Sequence, residues 1–233
     1  MILNWKNLPG LVVELLVVIL GVAIALAADS WREDWVESRE EQRYLQRLAR
    51  DLNEGIDILN REREIFSRVR NSALILSETI ESGERLDDDD FVIEHYVQAG
   101  QHGVDRWEMY HNTTYQEMIA SGRLGLIEDS NIREGLISYY REVDRLIEML
   151  HNLPRMNRSF IEAVGLFPAE FGEYGAALTP VQREKLLMNV REDPEILGLL
   201  RRLHANLVFS DRIFAEIIPL AENLVSAVEA TID

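Results

Sequence analysis

Cysteine is absent from all 233 residues. Its absence removes disulfide staples, thiolate metal sites and a Cys nucleophile together. Positive charge is scarce as well. The 24 Lys and Arg face 41 Asp and Glu, giving a formal charge of -17, and they form no basic cluster. Nucleic acid is bound mainly through its phosphates, so it is not an expected partner. The same acidity discourages the body of the chain from lying on anionic lipid. No strand-like alternation and no internal repeat is found. A nucleophile elbow, a phosphate-cradling glycine loop and an H-E-x-x-H pair are lacking too. No catalytic residues are therefore assigned, and no cofactor is expected.

What the chain does have is a long apolar run, LVVELLVVILGVAIALAA, over residues 11–28, with Glu14 as its one charge. A run of this length and uniformity reads as a membrane span. In hydrocarbon only a helix satisfies its own backbone, so the expected conformation is helical. Pro9 and Gly10 sit at the start, where Pro costs no helical hydrogen bond. Trp5, Trp31 and Trp35 flank the run, as indoles do at the two interfaces of a bilayer. The expected organisation is a short tail over 1–9, a transmembrane helix over 10–29, a long membrane-proximal helix over 30–82 and a helical body over 83–233.

One side of the span differs from the rest. Glu14, Val18, Gly21, Ala25 and Ala28 follow at alternating helical spacings and share a face. Small residues let a second backbone come close, so this is the expected membrane helix contact. Glu14 cannot stay ionised against lipid; it is neutral, reaches the headgroups or faces a partner helix. Ala25-Leu26-Ala27 also resembles a signal-peptidase site. The amphipathic pattern runs on past Ala28 with no polar linker, which favours an uncleaved anchor.

Beyond the span, Leu45, Leu48, Leu52, Ile56, Leu59, Phe66, Val69, Ala73, Leu76 and Ile80 keep a spacing near that of a coiled-coil seam. They predict one apolar stripe on a very long helix, ended by Gly83. Asp87 to Asp90 read as a solvated turn whose last Asp caps the next helix. Thr114-Tyr115-Gln116-Glu117 fits a capping box, and Ser130 fits the cap of a helix burying Ile132, Leu136, Tyr139, Tyr140, Val143, Leu146, Ile147 and Leu150. Thr179-Pro180 and Asp193-Pro194 read as cap-then-proline starts, and Pro219 as a bend in the last helix. The fold class is therefore all-α: an N-terminal transmembrane helix continuing into a long amphipathic helix packed in a helical bundle.

Two patterns hint at chemistry. Glu108 with His111, and Glu148 with His151, are Glu-x-x-His pairs. Paired motifs of this kind hold two metals in carboxylate bundles, with Glu62 or Glu78 and Glu117 or Glu134 as candidate completing ligands. Glutamate is abundant here, so the spacing also arises by composition, and no metal site is assigned. His95, His102 and His111 form a second candidate group, a pH-responsive cluster.

Glu14 to Asp34 (ELLVVILGVAIALAADSWRED) and Thr113 to Tyr140 (TTYQEMIASGRLGLIEDSNIREGLISYY) together resemble an uncharacterised bacterial family of single-span proteins, a domain of unknown function. The resemblance covers about a quarter of the chain. It implies an inner-membrane anchor and a helical body, and no activity. Ala27-Ala28-Asp29 stand where relatives tend to have amides, and the basic amino-terminal tail is shorter here. Arg32, Arg39, Arg43 and Arg47 follow the span, which by charge counting alone would keep the body cytoplasmic. They are interleaved with acids and open a long domain, and the resemblance points to a periplasmic body.

The expectation is thus a non-enzymatic single-pass protein of a bacterial inner membrane. It would touch lipid and serve as a structural or interaction subunit, with other membrane-protein subunits or with itself. The alternatives are a sensor-like module holding a small ligand near Trp107, Tyr139 and Tyr140, and the di-metal enzyme.

Overall fold

The computed structural model describes residues 8–100, 112–150 and 178–232. Trp5, His102, Trp107, Glu108, His111, His151, Pro154 and most of the Gly- and aromatic-rich stretch over 165–178 lie outside them. The described residues are helical, with no strand among them. The helices are α1 (Leu8–Ser82), α2 (Asp89–Gly100), α3 (Thr113–Ser121), α4 (Ser130–Leu150), α5 (Pro180–Glu192) and α6 (Pro194–Ile232); a 3-10 turn, Arg123–Leu126, links α3 to α4.

α1 is one unbroken helix of 75 residues. At 1.5 Å per residue it is about 110 Å long. Its two halves have different surroundings. Residues 15–39 are exposed all round, whereas from Glu41 onward one stripe is buried. That stripe contains Leu45, Leu48, Leu52, Leu59, Phe66, Val69, Ala73 and Leu76, with Ile56 and Ile80 half-buried beside it. Gly83, at φ +72°, ends the helix, and its N–H reaches the Thr79 carbonyl.

α6 lies antiparallel along the buried half of α1. Gln42 donates to the Thr231 carbonyl, Arg63 and Arg70 hold Asp211, and Arg201 pairs with Glu81. Between them Phe66 and Phe214 meet with ring centroids 5.5 Å apart. Near the far end, α2 folds back on α1, and Ser72 donates to Gln98 at 2.8 Å. α5 is tied to the start of α2 through Arg183–Asp90 and Arg191–Asp89 pairs. At the near end α4 packs on α6, where an added side chain at Gly135 would meet Leu224. α6 continues through Pro219 as one helix.

Three expected caps are corrected. α2 starts two residues early, and Asp88 rather than Asp90 accepts from the Phe91 N–H. α4 is capped by Asp129, which accepts from Asn131 and Ile132, and Ser130 is already inside the helix. α3 starts at Thr113 after Asn112 with no cap from its own segment, so Thr114 is no capping residue. Its donor is met from α1 instead, since Asp51 accepts from the Thr114 N–H at 3.0 Å. Each correction has one cause: an Asp within reach of the free N–H groups wins over the residue whose spacing merely fits. Thr179 does form a capping box with Gln182, and Asp193 accepts from Glu195.

Candidate functional site

The first feature is the apolar half of α1. It is the one helix among the described residues long and apolar enough to cross a membrane, and its apolar window is not buried by the rest of the chain. Exposure runs from Ile19 at 54% to Leu26 at 67%. Val18, Gly21, Ala25 and Ala28 all lie on this exposed stretch. Glu14 is on the same helix, one turn before Val18, with its side chain outside the described set. Beyond Gly21 there is open space: nothing lies within 4 Å of an added Cβ.

Because α1 is unbroken, this face continues past the apolar run as Arg32, Trp35 and Arg39. Trp35 is exposed, with the Arg39 guanidinium 4.1 Å from its ring centroid. Trp31 is exposed too.

The second feature sits where α1 enters the bundle. Glu117 of α3 receives Arg47 at 2.5 Å and the Tyr44 hydroxyl at 3.1 Å. These two donors hold its carboxyl below the usual carboxylate range, Arg47 foremost. Arg123 of the turn pairs with Glu40 and also donates to the Tyr44 oxygen. Glu41, buried, accepts from the Glu128 N–H at 2.8 Å. With Asp51 on Thr114, five side chains over about three turns of α1 grip the segment from Thr113 to Glu128. Spacing alone did not single them out. Glu40, Glu41, Tyr44, Arg47 and Asp51 look like ordinary Arg-and-acid helix surface. The available signal was that all five border the apolar stripe.

Beneath this grip lie three tyrosines. Tyr115 stacks on Tyr140 with centroids 4.1 Å apart, and Tyr139 meets Tyr140 edge-on at 5.0 Å. Tyr139 and Tyr140, expected near a ligand, are thus in the core and packed against protein. The Tyr140 hydroxyl is buried with no hydrogen-bond partner. Burial, reinforced by Tyr139 and Asp51, pushes its ionisation far above the ordinary phenol value.

Only some of the metal candidates lie among the described residues. Glu148 is exposed on α4, while Glu108, His111 and His151 lie outside the described residues. Glu62 is buried in the α1 stripe, Glu117 is held by Arg47 and Tyr44, and Glu78 and Glu134 are exposed. Among the described residues no three His, Asp or Glu side chains gather as a metal site would require. His95 contacts Ser72 at 3.4 Å and Phe91 edge-on, and burial lowers its pKa. An open groove of roughly 610 Å³ lies beside α5, lined in part by Asp89, Arg183, Leu187 and Arg191. Both of its arginines are already engaged by α2 carboxylates.

No family model, no curated protein and no solved structure matches the chain.

Proposed function

We propose that this chain is a single-span protein of a bacterial inner membrane, acting as a structural or interaction subunit through helix–helix contacts. The observation that carries the reading is the apolar half of α1, exposed on every side within its own chain. An apolar surface of this extent is too large to leave in water and matches the thickness of a bilayer. The bundle, carried on the other half of α1, stands on the periplasmic side of the membrane. A neighbouring span then packs against Val18, Gly21, Ala25 and Ala28, with residue Glu14 at the register of the same helical face. That neighbour is a second copy or another membrane-protein subunit.

Gly21→Leu and Ala25→Leu test this directly. Gly21 has nothing near it in the monomer, so the larger side chain disturbs only an outside partner. Light scattering in mild detergent, with mass spectrometry of material co-purified from crosslinked membranes, should show loss of the associated species while helix content stays unchanged. Unaltered mass and unaltered co-purification in both variants would refute the contact. Release of the wild-type protein from membranes by carbonate washing would refute the span.

A further inference from the structure

We propose that Thr113–Glu128 is a releasable strap: it unfastens from α1 as a unit while the α1–α6 hairpin stays closed. This goes beyond the proposed function and does not rest on it.

The fastening is a short apolar anchor, the buried Met118, Ile127 and Tyr115, ringed by polar contacts that are partly wet. Arg47 and Glu117 are 42% and 45% exposed, and Arg123 and Glu40 are 48% and 31% exposed. Exposed ion pairs hold weakly and are screened by salt. Both ends of the strap hang on backbone donors met by α1 carboxylates, Thr114 on Asp51 and Glu128 on Glu41. α3 has no side-chain cap of its own, so its N-terminus loses its partner whenever it leaves α1. The α1–α6 seam is far longer, running over fully buried Leu48, Leu52, Phe66, Phe214 and Ile217.

What lies under the strap favours opening. Tyr140 is 2% exposed, and its hydroxyl has no partner. A buried hydroxyl without a hydrogen bond is destabilising until water reaches it. The ring stacked on Tyr140 belongs to Tyr115, on the strap. Lifting α3 hydrates the phenol and exposes a tyrosine face formed with Tyr44 and Tyr139. The closed strap is therefore held by salt-sensitive pairs and a short apolar anchor against an unsatisfied group. Low-stability segments of this kind open ahead of the core.

Hydrogen–deuterium exchange on the full chain in detergent micelles reads this out. Amides over 114–121 and at Glu128 should exchange well ahead of those over 45–59 and 213–225, and faster again in high salt. Glu117→Gln should speed the strap alone. Tyr140→Phe, which keeps the ring and removes the orphan hydroxyl, should slow strap exchange by about fivefold or more. Strap and hairpin amides exchanging together at one salt-insensitive rate would overturn the proposal. So would a Tyr140→Phe strap that opens as fast as the wild type.

Discussion

The two halves of α1 use the same residues for different ends. Leu, Val and Ile fill the half before Asp29 and also the stripe after Glu41. In the first half they point in every direction and the chain covers none of them; in the second they recur on one side and α6, α2 and α3 cover them. The difference lies in periodicity rather than composition. An all-round apolar helix requires an apolar solvent, whereas a striped one requires a partner on one side. Because no break separates the halves, whatever tilts or turns the first turns the second.

The comparison can be broken or sharpened by matched substitutions. Phe214→Ala removes the ring packed on Phe66 at the centre of the hairpin. It should cost about 3–5 kcal/mol of bundle stability in chemical denaturation. Leu20→Ala, in the exposed half, should leave the same transition in place. If both move the transition equally, the two halves do not differ as described.

A second pair uses glycines. A Cβ at Gly135 would lie 2.6 Å from the Leu224 Cδ2, with the Leu224 side chain nearly buried. Gly135→Val should therefore destabilise the bundle by about 1–3 kcal/mol through overpacking. Gly21→Val meets nothing within 4 Å. It should leave the bundle melting temperature where it was.

Acid provides the smallest test, and it acts on the bundle half alone. Burial lowers the pKa of His95 below its ordinary 6.5, with Arg85 adding to the effect and Glu94 opposing it. The unfolded chain then takes up this proton first, so stability falls as pH drops below about 6.5. The hydrogen bond from Arg63, with Arg70 beside it, holds Asp211 below the ordinary 3.8. Its contribution is present above that value and is lost as pH falls through the folded pKa. Melting temperature against pH should thus fall in two stages. His95→Gln should remove the earlier and Asp211→Asn flatten the later. A single stage unaffected by either variant would contradict both assignments.

Much of the helical layout was legible without coordinates. The stripe from Leu45 to Ile80, the stop at Gly83, the buried face of α4 and the Thr179 cap all follow from local periodicity and terminal chemistry. Misreadings clustered where a helix end had two candidate partners. Asp88 displaced Asp90, Asp129 displaced Ser130, and Asp51 supplied from another helix what Thr114 was expected to supply locally. The grip on Glu117, Arg123 and Glu128 was invisible for the same reason. Its partners lie 63 to 87 residues away along the chain, and Arg and Glu are too common for pairing to be read from type.

By itself the order of residues determined that this protein is helical, that one apolar stretch suits a bilayer, and which side of each later helix is buried. Those properties are set by turns of three to four residues, within reach of neighbours on the chain. Only the tertiary structure decided which helix covers which stripe, that five side chains of α1 hold the segment from Thr113 to Glu128, and that Tyr140 stacks on Tyr115 with its hydroxyl unmatched. These depend on contacts between distant segments, whose geometry emerges once the long helices pack.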